Sequence, residues 1–217
     1  MINEYPKIPP VTLTYSTILI LLAIISKVFE NSILINIIKI DYKKVFAEYQ
    51  FWRLITAYFY IGKLSPKFIF NFLLYFRRMK SNEIKFMKKK KSHEFLMMFF
   101  HLMIIIHIFN YLGNHFFQIK VNSFLFNQLM FSIIIINSKR APNKIFRFYF
   151  AEIENKYVPY FLFSIKTVRN NRDYIKHIFR FIPGFFYYWI KDIIPKSGLF
   201  LHPFIINKSN YKKKQKK

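Results

Sequence analysis

The chain has 217 residues and a formal net charge of +25, with 35 Lys and Arg against 10 Asp and Glu, yet 53% of it is hydrophobic. A basic excess of that size suits a nucleic-acid or ribosome binder, but this much Phe, Ile and Leu does not, and so apolar a chain must bury its surface rather than stay disordered. No Cys is present, which excludes disulfide-stapled domains, Cys-based zinc sites and thiol redox enzymes. Lys, Asn, Ile, Phe and Tyr dominate while Gly, Ala and Arg are scarce, a bias that AT-rich codons supply. The positions of the charges therefore carry more information than their number.

Between clusters of Lys and Arg lie apolar runs that predict a polytopic membrane protein. The first, residues 11–29, follows Pro9-Pro10, and its roughly 19 residues reach across about 30 Å of hydrocarbon. No basic region precedes it and no small-residue cleavage site follows, so it reads as an anchor and not a cleaved signal. Residues 95–112 and 116–136 predict two further spans, with a tight turn at Gly113-Asn114 between them. Residues 68–76, 157–168 and 175–194 are weaker stretches. The first two are short, and the last two carry Lys166, Arg180 and Lys191.

With all six counted as spans, most Lys and Arg fall on one side, in the N-terminal tail, residues 77–91, residues 139–156 and the tail from Lys191. Cytoplasmic loops retain positive charge, so both termini are expected in the cytosol. The expected organisation is a membrane domain over residues 1–195 and a basic cytosolic tail over 196–217.

Residues 46–62 (FAEYQFWRLITAYFYIG) are aromatic and half-apolar, with Trp52-Arg53 near the centre. A Trp ring sits well among headgroups, and a guanidinium can hold phosphate or carbonyls, so an interfacial segment is expected here. Ile8-Pro9-Pro10-Val11-Thr12 followed by Gln50-Phe51-Trp52-Arg53-Leu54-Ile55-Thr56, then Phe59, Gly62, Phe68 and Phe70-Asn71, resembles the derlins, catalytically inactive members of the rhomboid superfamily. Asn137 to Pro142 is similar to the basic exit of the family's fourth span, and Gly184 to Tyr187 with Asp192 and Pro195 to its sixth.

The resemblance implies an all-α, six-helix rhomboid-like bundle with an interfacial first loop whose membrane motif is Gln50, Trp52 and Arg53. It implies a role in extracting misfolded polypeptide clients from the endoplasmic reticulum membrane for ubiquitin-dependent degradation. A ubiquitin ligase complex, an AAA ATPase and homo- or hetero-oligomers are the partners implied. The same resemblance leaves open import of preproteins across the periplastid membrane of a secondary plastid, or a non-transporting, lipid-organising protein. The tail residues 211–217 (YKKKQKK) lack a recognisable ATPase-binding box, so that partner rests on the resemblance alone. Nucleic acid is not an expected partner, because the Lys runs merely flank apolar spans.

A rhomboid protease needs a Ser nucleophile on the fourth span and a His base on the sixth. By the register at Ser138-Lys139-Arg140, the serine position falls within residues 126–129, which hold neither Gly nor Ser, and Gly184 is followed by Phe185. No proteolytic activity is expected. His101 and His107 are six residues apart, on different faces of a helix, so no metal site or cofactor is expected.

Asn71, Asn127 and Gln128 are polar groups within spans and predict hydrogen bonds across helices or a role in a substrate groove. Arg180 and Lys166 either face a watery interior or snorkel to an interface. Gly184 keeps one glycine of a Gly-x-x-x-Gly packing motif whose earlier place is taken by Arg180. Pro183-Gly184 should loosen the last helix. Short second and fifth spans would thin the bilayer and open a hydrated groove, with Trp52 and Arg53 anchoring the first loop.

Overall fold

Pro10 occupies the first helical position of α1 (Pro10–Val28), where its missing N–H costs nothing. The computed structural model describes residues 8–28, 32–117, 124–148, 151–169 and 174–194. The segment after α1 holds three short helices, α2 (Ser32–Ile38), α3 (Tyr42–Ala47) and α4 (Arg53–Thr56). Asp41 caps α3, its carboxylate accepting from the Lys43 and Lys44 amides. The chain then dives inward, so that Ala57 and Tyr58 are fully buried.

Ser65 caps α5 (Pro66–Lys88) by accepting from the Phe68 amide, and Pro66 again takes the first helical position. The sequence suggests a span ending near Phe76 and a basic loop over residues 77–91. Instead the helix continues for about three more turns. Tyr75, Met79, Asn82 and Glu83 recur at helical spacing and are all buried, which keeps this charged stretch helical against the bundle. The helix is about 34 Å long, although its strongly apolar part ends near Phe76.

A second correction concerns Gly113-Asn114, which is no turn. α6 (Ser92–Phe117) runs straight through it, and a Cβ at Gly113 would lie 3.1 Å from the Phe179 ring. The glycine makes room at a helix crossing, a use that a turn-signal reading does not separate from chain reversal. The next helix, α7 (Phe126–Arg140), accordingly begins well after residue 116. Twelve of its 15 residues are buried, making it the central helix of the bundle.

Residues 139–156 also depart from the all-α expectation. They hold an antiparallel hairpin, β1 (Ile145–Phe148) and β2 (Ala151–Glu154), with Ile145 opposite Glu154 and Phe148 opposite Ala151. A 3₁₀ turn at Asn155–Tyr157 leads into α8 (Val158–Arg169), and α9 (Tyr174–Tyr188) packs along α7. Pro183 lies inside α9, and a π turn at Trp189–Ile193 follows. α9 thus continues through Pro183-Gly184, and the carbonyl of Phe179, four residues before the proline, accepts from Gln128 Nε2 at 3.3 Å.

Large apolar side chains face outward on several helices, among them Leu21 and Ile24 on α1, Phe100 and Ile104 on α6, and Trp189 and Ile190 after α9. Among the described residues, α1 and α6 are long and apolar enough to cross a membrane. The remaining outward apolar surface is what a lipid solvent would accept. The tail over residues 196–217 and the Lys166 side chain lie outside what is described.

Candidate functional site

The first loop splits the Trp-Arg pair by function. Trp52 is 49% exposed, in company with Phe46, Tyr49, Phe51 and Ile55, so the loop presents an aromatic edge outward. Arg53 is only 4% exposed and points the other way. Its Nε donates to Gln50 Oε1 at 2.5 Å, and Nη1 donates to the carbonyls of Asn36 and Lys39 at 2.5 and 2.9 Å. Those carbonyls lie at the C-terminal end of α2, where unpaired acceptors and the helix dipole favour a cation. Gln50 Nε2 in turn donates to Glu48 at 2.6 Å. The guanidinium thus holds carbonyls of this chain, while the Trp52 ring is left facing outward.

His107 on α6 fastens the same loop to the bundle. Leu54 O can only accept, so His107 Nε2 carries the proton and donates to it at 2.8 Å; Nδ1 then accepts from the Tyr42 hydroxyl at 3.1 Å. Beneath the loop, the Tyr15 hydroxyl donates to Tyr58 O at 2.7 Å, and Leu125 N donates to Ala57 O at 2.9 Å. The aromatic edge is therefore displayed by a rigid support.

Polar groups expected within spans take up distinct positions. Gln128 is buried and forms a reciprocal amide pair with Asn110, at 3.0 and 3.2 Å, while also donating to Phe179 O at 3.3 Å. One side chain thereby ties α7 to α6 and α9. Asn127 Oδ1 accepts from the Tyr75 hydroxyl at 3.3 Å, joining α7 to α5. Asn71 is half-buried one turn before Tyr75 and makes no side-chain hydrogen bond among the described residues. Arg180 is half-buried on α9. Asn127 thus meets Tyr75 inside the bundle, while Gln128 points elsewhere.

Gly184 sets how close α9 comes to α7. A Cβ there would sit 2.7 Å from Ser132 Cα and 3.0 Å from Ser132 O, closer than real contacts allow. Close packing persists although Arg180 replaces the motif's earlier glycine. The Ser132 hydroxyl donates to Gln128 O one turn back, at 3.0 Å.

Two residues that sequence reasoning passed over complete the assembly. Glu83, 1% exposed on α5, accepts from Val11 N at 2.8 Å, Thr12 N at 2.7 Å and the Thr12 hydroxyl at 2.6 Å. It serves as an N-cap for α1 supplied from another helix. Asn155, also buried, accepts from Arg78 Nη1 at 2.8 Å and donates to Asn137 O and Ala141 O at 3.1 and 3.0 Å. It clasps the hairpin, α5 and the end of α7 together. A signal for the α5 arrangement exists in the sequence: Asn71, Tyr75, Arg78, Asn82, Lys85 and Lys89 recur at alternating spacings of four and three, which aligns them on one helix face.

The profile of the Der1-like family matches residues 8–202, nearly the whole chain. The chain belongs to the Der1-like family. A probable derlin-1 homolog of Dictyostelium discoideum is 23% identical to it over 198 residues, covering 89% of this chain and 76% of that protein. Membership accounts for the outward apolar surface and makes this a derlin-type membrane protein, from a non-catalytic rhomboid-like family. Thr12, Trp52, Arg53, Asn71 and Gly184 all fall within the matched region.

Proposed function

We propose that this Der1-like protein conducts misfolded polypeptide from the lumen of the endoplasmic reticulum to the cytosol for ubiquitin-dependent degradation. The observation that carries this reading is the polar patch of Tyr75, its partner Asn127 and the half-buried Asn71 one turn away, set inside a bundle whose outer surface is apolar. A stretched chain in hydrocarbon must find partners for its amides and carbonyls, and such a patch supplies them. α8 supports the same reading. Its 12 residues cover about 18 Å, well short of about 30 Å of hydrocarbon, so lipid must thin or water must enter beside it.

In this scheme the aromatic edge around Trp52 sits in the far leaflet and disturbs lipid order near the groove. Arg53, held by Gln50, Asn36 and Lys39, keeps that edge in place. The basic loops face the cytosol, where a ubiquitin ligase and an AAA ATPase would receive the client. The family resemblance supplies those partners. Replacing Trp52 with Ala tests the role of the edge: client half-life should lengthen severalfold with the protein inserted and folded. Unchanged client turnover would remove Trp52 from the mechanism.

A further inference from the structure

The basic end of the bundle contains a cleft of about 580 Å³ lined by Asn82, Lys85, Lys89, Asn137 and Arg140 among others. Two observations there call for an anion. The Nδ2 donors of Asn82 and Asn137 are buried in the wall with no hydrogen-bond partner, and Asn82 is only 3% exposed. A buried amide donor left unpaired is costly and is normally satisfied by something. Lys85, half-buried one turn along from Asn82, makes no salt bridge or hydrogen bond among the described residues. Burial and the neighbouring cations Lys144, Arg78, Lys89 and Arg140 hold its ammonium below the ordinary lysine value.

The carboxylates near the cleft do not balance this charge. Asp192 is taken by Arg140, which donates to it at 2.8 to 3.2 Å, and Glu94 is paired with Lys91 at 2.5 Å. Residues 211–217 are basic and offer no acidic side chain.

We propose that this cleft binds a phosphate group, and that its source is the headgroup of an anionic membrane lipid. Amide donors beside ammonium groups are the usual chemistry of oxyanion recognition. The adjoining cleft favours lipid over free phosphate. It shares Phe86, Glu94, Arg140 and Asp192 with the first and is lined further along by Met97 and Met98 of α6. Met97 lies on the outward apolar face, so the adjoining cleft reaches from the headgroup position to surface that lipid would cover. The inference stands apart from polypeptide movement, because a lipid-organising protein would use the same site.

Native mass spectrometry of the full-length protein in detergent tests it, with phosphatidic acid and phosphatidylcholine of matched chains as probes. Phosphatidic acid should be retained at least tenfold better, and Lys85→Gln or Asn82→Ala should cut that preference about tenfold. Lys43→Gln, a basic residue of α3, should leave it intact. Because Asn82→Ala could loosen the fold, Lys85→Gln at its half-exposed position carries the decision. Equal retention of the two lipids, or an equal loss in Lys43→Gln, would overturn the site. Displacement of the lipid by millimolar inorganic phosphate or by a polyglutamate peptide would overturn the lipid assignment.

Discussion

Glu83 Oε2 accepts both the backbone amide and the side-chain hydroxyl of Thr12, at 2.7 and 2.6 Å, across 71 residues of chain. The start of the first helix is thus capped by the far half of α5. The Ile-Pro-Pro-Val-Thr segment has a physical role: two prolines set the helix entry and the threonine meets the carboxylate. Glu83→Ala leaves two amides without their acceptor and should cost about 3 kcal/mol of stability. Thr12→Val removes one hydroxyl contact and should cost about 1 kcal/mol. Thermal unfolding in detergent measures both, and equal melting points for wild type and Glu83→Ala would refute the cap.

Trp52 and Arg53 should behave differently when separated. Arg53→Ala frees the carbonyls of Asn36 and Lys39 and should speed limited proteolysis between α2 and α4. Arg53→Lys should rescue poorly, because one ammonium cannot reproduce the spread of Nε and Nη1 contacts. Trp52→Ala should leave the proteolysis pattern unchanged. A joint Trp52 and Arg53 replacement would mix a surface effect with a loss of support.

At Gly184, a methyl group meets the backbone of Ser132 as well as the Ile135 side chain. Gly184→Ala should therefore lower stability by about 1–3 kcal/mol. Ser132→Gly should not restore it, since the clash is with main-chain atoms. Rescue by that second change would show that a side chain, and not the helix spacing, sets the contact.

The Asn110–Gln128 pair allows a cycle. Gln128→Leu removes the amide partner of the buried Asn110 and the donor to Phe179 O and should cost about 1–3 kcal/mol, while the double replacement with Leu should recover the part due to Asn110. Additive losses would mean that the pair does not act as a unit.

The helices were legible in the sequence where one property dominated. α1 and α6 are long apolar runs, and among the described residues both are long and apolar enough to cross a membrane. Gly113 was misleading because a glycine making room at a helix crossing and one making a turn look alike without the partner, here Phe179. α5 was cut short because its second half is charged; burial of Met79, Asn82 and Glu83 on one face extends it. Gln128 showed itself as a polar residue in an apolar helix, but its partners lie on other helices and could not be read from spacing. Glu83 and Asn155 were hidden for a similar reason, as each acts on backbone far away in sequence.

The central claim is that the inner face of α5 meets a moving polypeptide. A photo-crosslinking amino acid at Asn71 reads this directly, because that side chain is half-buried beside Tyr75 and its loss breaks no described hydrogen bond. With a misfolded luminal client stalled by ATP depletion, Asn71 should crosslink to the client, and a probe at the outward Ile24 of α1 should crosslink only to lipid. Equal crosslinking at both positions, or none at Asn71 while the client still depends on the protein for turnover, would contradict the account.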